Sequence, residues 1–161
     1  VIRLILLLTL PLYVIDQITK WLVLKFIPVE DSIEIIPNFF WLVQVHNTGA
    51  AFGMLSDSNR FFIGLSCVAL VVVLLLWWRG AFQGRLVTTG AALLLSGILG
   101  NLTDRLVHSY VVDFLLFDLH VKFANPWPAF NVADSCICVA AGLFILSSFL
   151  ESRQPAVSAA K

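Results

Sequence analysis

Gly97-Ile98-Leu99-Gly100-Asn101-Leu102-Thr103-Asp104-Arg105 closes one apolar run, and Val111-Val112-Asp113-Phe114 follows it. Phe130-Asn131-Val132-Ala133-Asp134-Ser135 then opens the next apolar run. Asp113 and Asp134 therefore stand where one membrane-length segment ends and another begins. Ionisable groups at that depth are costly and mark function by default. The rest of the sequence reads as scaffolding that brings these two carboxyls together.

Of the 161 residues, 60% are hydrophobic and 12% charged, and the mean hydropathy is +0.94. Soluble domains average about 45–50% apolar and about 25% charged residues. The composition is that of an integral membrane protein. Ten basic and ten acidic residues cancel, so bulk charge recruits no nucleic acid. Cys67, Cys136 and Cys138 lie in apolar runs, and an odd count there is a poor disulfide framework. Cys136 and Cys138, two apart on a helix, point in different directions and make a poor metal pair. Buried small-residue packing is their expected role, and neither metal nor cofactor is expected.

The expected fold is an all-α membrane protein, one domain over residues 1–161, with four transmembrane helices and a small extramembrane β-strand cradle. The spans fall at about 2–26, 61–78, 86–106 and 130–150, joined by long connections at 27–60 and 107–129. The first run resembles a signal-peptide core, but no small-residue cleavage site follows, so a retained helix is expected. Because the chain begins without Met, a few N-terminal residues are expected to be missing. Asp16 and Lys20 are four apart and share a face. They read either as an anchor near the membrane boundary or as a polar face turned toward a site. The second span, with Trp77-Trp78 as an interfacial belt, reads as a lipid-facing support. In the third, Gly97, Asn101, Asp104/Arg105 and His108 recur at helical spacing as one small-and-polar stripe.

The connections carry strand signals. From Phe39 to Val45, Trp41, Val43 and Val45 fall on one face and Leu42, Gln44 and His46 on the other. Asn47-Thr48-Gly49-Ala50-Ala51-Phe52-Gly53 predicts a small-residue turn that another chain can approach closely. Phe117 to Lys122 alternates with period two, which predicts a half-buried strand. Pro126 and Pro128 set a helix start near Ala129 or Phe130, with Asn131, Asp134 and Cys138 on one face of its first turns. The tail from Glu151 to Lys161 is expected to be mobile.

Four spans put both termini on one side. Arg79 and Arg85 in the tight turn, with Arg3, Arg153 and Lys161, assign that side to the cytoplasm; Arg60, Arg105 and Lys122 weaken the asymmetry. Both long connections, Asp113 and Asp134 are then expected at the outer face.

Two carboxyls sharing one proton can hydrolyse an amide without a covalent intermediate. The ionised one takes a proton from water, and the neutral one protonates the carbonyl oxygen. Which of the two holds the proton is not readable from sequence, and the pair titrates as a unit. Ser135 has no base at helical spacing, and a serine–lysine pair with Lys20 lacks a motif. His46, His108 and His120 show no metal-ligand spacing beyond Asp118-x-His120. The plainer alternative, hydrogen bonding between helices, does not need Asn101, Asp104, Arg105 and Asn131 as well.

Five ordered motifs cover nearly the whole chain: Asp16-Gln17-Ile18-Thr19-Lys20, Asn47-Thr48-Gly49-Ala50-Ala51-Phe52, and the three stretches already quoted. In this order they resemble signal peptidase II, the family of bacterial lipoprotein signal peptidases. The resemblance implies an aspartic endopeptidase with Asp113 and Asp134 as the catalytic dyad. It implies diacylglyceryl-modified prolipoproteins as substrates, cut on the N-terminal side of the lipid-bearing cysteine. Asp16, Lys20, Asn47, Gly49, Gly97, Asn101, Asp104, Arg105, Asn131 and Ala133 match the family's supporting positions. Among these, Asn47 and Asn131 are candidates to bind substrate backbone. Arg105 is the candidate to hold a substrate carbonyl or pair with Asp104, and Asp16 and Lys20 to brace the site. Membrane lipid is an expected partner, cyclic peptides of the globomycin type are expected inhibitors, and a monomer in the bacterial inner membrane is expected.

Two rival classes stay open on the residues alone. Intramembrane acids relay ions in transporters, but relay acids lie along a path, whereas these gather at one face. A scaffold that binds signal helices would keep working with both acids changed to Asn.

Overall fold

The computed structural model describes residues 2–49, 55, 58–121 and 127–152. A short helical turn, α1 (Ile2–Leu4), and a π-helical turn over Ile5–Thr9 lead into α2 (Leu10–Phe26). Three longer helices follow: α3 (Asn59–Trp78), α4 (Arg85–Val107) and α5 (Val132–Ser152). Among the described residues, four helical stretches are thus long and apolar enough to cross a membrane, since about 20 residues at 1.5 Å per residue span a ~30 Å hydrocarbon layer.

The helices differ in what they bury. In the apolar window of α4, 56% of residues are buried, against 11% in α3. A helix apolar all round that is not covered by protein has lipid as its solvent, so α3 is a support and α4 is the spine. Helices α3 and α5 both pack on α4. The expected belt is half right: Trp78 is exposed, but Trp77 is buried with Val73, Ala91, Ala92, Leu95 and Ile98. The cysteines also divide. Only Cys136 is buried, while Cys67 and Cys138 are exposed on their helices.

Small residues let α4 touch its neighbours. A Cβ on Gly97 would lie 2.5 Å from the Ala133 carbonyl oxygen and 2.5 Å from Ile137 Cγ1, and one on Gly100 would lie 2.6 Å from Asp16 Oδ2. Gly97→Ala therefore forces α4 and α5 apart, at an expected cost of about 1–3 kcal/mol. Thermal unfolding in detergent checks this: the midpoint should drop by several degrees, and an unchanged midpoint would contradict the close approach.

Above one end of the bundle lies an antiparallel sheet in the order β1 (Ser32–Ile36), β2 (Phe40–Asn47), β3 (Val111–Phe117). The β1–β2 turn places Asn38 at φ 57°, its N–H donating to Glu34 Oε1 at 2.7 Å. Asn tolerates this left-handed conformation better than most residues. Opposite β3, β2 carries a bulge: Leu42 pairs with Leu115 and Val45 with Asp113, so Val43 and Gln44 together face Phe114. Burial follows the bulge rather than strict alternation, with Val43 and Gln44 both buried and Val45 and His46 both exposed. A bulge bends the strand and re-aims side chains, here directly beside Asp113.

Two further expectations need correction. The strand expected at Phe117–Lys122 does not run through residues 118–120, which are irregular once β3 ends at Phe117. The strand is instead Val111–Phe117, whose first four residues are all buried; a strand covered on both faces shows no alternation. Helix α5 begins at Val132, later than Ala129 or Phe130, because Phe130 is still tied to the sheet. Its N–H donates to Leu115 O at 3.1 Å, and its carbonyl accepts the N–H groups of Phe114 and Leu115. Residues 50–54, Lys122, Pro126, Arg153 and Lys161 lie outside the described residues, as does most of the expected tail.

Candidate functional site

Asp134 is the third residue of α5, and Asn131 caps that helix. The Asp134 N–H donates to Asn131 Oδ1 at 2.9 Å, and the Asn131 N–H donates to Asp134 Oδ2 at 3.2 Å. This reciprocal capping box fixes the Asp134 carboxyl at the helix entrance, where the helix dipole favours negative charge. Asn101 Nδ2 of α4 donates to its other oxygen at 2.7 Å.

Asp113 is held by two amides. Asn131 Nδ2 donates to Oδ1 at 2.7 Å and Asn47 Nδ2 to Oδ2 at 2.9 Å. The Gly49 N–H donates to Asn47 Oδ1 at 3.0 Å, which turns the amide so that its NH₂ faces Asp113. Asn131 thus touches both acids, one through its side chain and one through its backbone. Burial and the neighbouring Asp134 charge push the Asp113 carboxyl up to about 7, against the pull of Asn47, Asn131 and Lys20. Both acids line one cavity of about 570 Å³. Asn47, Gly49, Asn101 and Arg105 share its polar end, and Phe62, Trp127, Phe130, Ile137 and Val139 are among its apolar walls.

Beneath the acids lies a buried ion cluster. Lys20 Nζ is 2.9 Å from Asp16 Oδ2, 2.9 Å from Asp104 Oδ2 and 3.0 Å from Asn101 Oδ1, so its three N–H bonds have three acceptors. Asp16, Lys20 and Asp104 are each no more than 2% exposed. Each acid also grips backbone. Asp16 Oδ1 accepts the Ala133 N–H at 2.8 Å, and Asp104 Oδ2 accepts the Val112 N–H at 3.0 Å. Ala133 precedes Asp134 and Val112 precedes Asp113. The cluster therefore fixes the two segments that carry the cavity acids. Asp16 and Lys20 form a polar face turned inward.

All twelve sequence-derived positions fall in or against this site, but several partners differ from expectation. Asn47 and Asn131 donate to Asp113 rather than standing free for a substrate. Asp104 pairs with Lys20, not with Arg105. The Arg105 guanidinium donates to Gly49 O at 2.8 Å and Asn59 Oδ1 at 3.3 Å, and lies 4.5 Å from the Phe62 ring centre. It thus ties the strand-end turn to the start of α3 while still lining the cavity. The small-and-polar stripe of α4 stops at Arg105, since His108 is exposed. The contacts of Asn59, Phe62, Gly100 and Gln17 have no signature in the sequence, because contacts between distant helices leave no spacing signal. Among the described residues no group of three or more His, Cys, Asp or Glu side chains could hold a metal ion.

The same architecture occurs in solved bacterial membrane enzymes. One, determined by the in meso method at 2.3 Å resolution, superposes with a TM-score of 0.87 at 27% identity, covering 98% of this chain and 94% of that one. Another, determined by the same method at 1.9 Å, gives a TM-score of 0.79 at 29% identity, covering 89% and 91%. These define the class, a polytopic membrane enzyme. Residues 8–150 match the model of the signal peptidase (SPase) II family, and the chain belongs to that family of peptidases. A lipoprotein signal peptidase of Symbiobacterium thermophilum is 41% identical over 141 residues, covering 88% of this chain and 91% of the relative. One from Shewanella loihica is 43% identical over 148 residues, covering 89% and 84%.

Proposed function

We propose that this peptidase removes the signal peptide from diacylglyceryl-modified prolipoproteins, with Asp113 and Asp134 activating water. The observation that carries the reading is the pair of acids, both bonded to Asn131 and both lining one largely apolar cavity. In this mechanism Asp113, protonated below about pH 7, gives its proton to the scissile carbonyl oxygen. Asp134 takes one proton from the attacking water. Collapse of the tetrahedral intermediate returns a proton to Asp113 and passes one to the leaving nitrogen, the amine of the lipid-bearing cysteine. No acyl-enzyme forms. The apolar walls suit acyl chains and a signal helix that stay in hydrocarbon while the peptide bond meets water.

The whole chain acts as one membrane unit in the bacterial inner membrane. Its sheet and cavity face outward, and its termini and the exposed Arg79–Arg85 turn face the cytoplasm. The support is that turn's basic charge at the end of the bundle opposite the sheet. The enzyme works as a monomer in contact with membrane lipid, and cyclic peptides of the globomycin type occupy the cavity and inhibit it. The test is cleavage of a modified prolipoprotein and its unmodified precursor by purified protein, with products mapped by mass spectrometry. A cut directly before the modified cysteine, in the modified substrate alone, is expected; a cut elsewhere would overturn the assignment.

A further inference from the structure

Gln17 touches both acids of the buried ion cluster and none of the cavity. Its Nε2 lies 3.2 Å from Asp16 Oδ2, 3.1 Å from Asp104 Oδ1 and 3.3 Å from the Gly100 carbonyl of α4. Two N–H bonds are thus shared among three acceptors. The two carboxylates have one cation between them, Lys20, and a neutral amide adds donors without adding charge. The residue does not line the catalytic cavity. It lines a separate groove of about 260 Å³ along α2, with Tyr13, Val14, Ile18 and Trp21.

What Gln17 holds determines where the cavity acids sit. From Asp16 the chain of bonds runs to the Ala133 N–H, one residue before Asp134. From Asp104 it runs to the Val112 N–H, one residue before Asp113. Gln17 sits at the common root of these two short arms, and its bond to Gly100 O fastens that root to α4. We infer that Gln17 is a positioning residue for the peptidase: its amide clamps Asp16 to Asp104 and so sets the separation of Asp113 and Asp134. The inference rests on the dyad reading above.

The experiment compares wild type, Gln17→Met, Gln17→Glu and Asp113→Asn on a modified prolipoprotein, with thermal unfolding of each in detergent. Methionine keeps the length and removes the donors. Because Gln17 is outside the cavity, KM should stay within about twofold while kcat falls about ten- to a hundredfold, the scale of a small misplacement of reacting groups. Gln17→Glu sets a third carboxyl against two others. Its activity relative to wild type should be lowest near pH 8 and rise toward pH 5, as protonation restores an O–H donor.

Wild-type kcat in Gln17→Met beside an inactive Asp113→Asn overturns the role of Gln17 alone. So does a loss that resides in KM, or one accounted for by the unfolded fraction. Wild-type activity in Asp113→Asn sinks the dyad reading itself, and the role of Gln17 with it. If Gln17→Met does not purify folded, the Gln17→Glu to wild-type ratio decides, and a ratio flat with pH overturns the inference.

Discussion

Asp113→Asn should cut prolipoprotein about a thousandfold more slowly than wild type or worse, the scale of a lost general acid, and yet unfold at a higher temperature above pH 7. Both effects come from one fact. Burial and the Asp134 charge raise the Asp113 carboxyl from 3.8 to about 7, so the folded protein binds that proton more tightly than the unfolded chain does. The stability this contributes is fully present below the ordinary carboxyl range. It is lost as pH rises through about 7, and above that the fold carries an ionised, buried acid. Asparagine carries no charge and keeps an acceptor for one of the two amides. The difference is worth roughly 4 kcal/mol at most. Thermal unfolding from pH 4 to 9 checks it: the wild-type midpoint should fall relative to the variant up to about pH 7 and then run parallel. Equal midpoints throughout would contradict a buried, proton-holding Asp113. Wild-type cleavage should likewise decline as pH rises through about 7.

Lys20→Met should cost about 3–5 kcal/mol, the scale for removing one partner from a buried ion pair. Lys20 gives its three N–H bonds to Asp16, Asp104 and Asn101, and methionine would leave two buried carboxylates facing each other without a cation. Cleavage should fall with stability, because the same carboxylates hold the N–H groups of Ala133 and Val112. The second variant is Lys20→Met with Asp104→Asn, which removes one of the unpaired charges. It should recover part of the lost thermal stability in detergent. A double variant no more stable than Lys20→Met alone would mean that charge is not what Lys20 balances.

The spans were legible because hydropathy over about 20 residues is a one-dimensional signal. Asp113 and Asp134 stand out because they are acids placed where one apolar run ends and the next begins. The sheet was only partly so. Strand β2 announced itself by its aromatic and β-branched residues, but its alternation fails at Val43 and Gln44, where the bulge turns consecutive residues inward. Strand β3 is buried on both faces and β1 is exposed on both, so neither shows the half-buried alternation that identifies a strand. In the site, Asp16 and Lys20 were linked by their spacing of four, a local feature. A pairing of Asp104 with its neighbour Arg105 is one of the two readings the sequence offers for that arginine, because adjacency is the only sequence relation available. The real partner of Asp104, Lys20, lies across a helix interface that Gly97 and Gly100 make close enough. Such pairings depend on packing, which spacing within one helix cannot encode.

The most direct test of the central claim is cleavage of a diacylglyceryl-modified prolipoprotein by wild type, Asp113→Asn and Asp134→Asn at equal folded concentration. Water activation by a shared-proton pair needs both carboxyls, so wild type should cut before the modified cysteine and each single variant should be inactive. If either folded variant keeps near-wild-type activity, that aspartate serves the structure alone and the two-carboxyl mechanism is wrong.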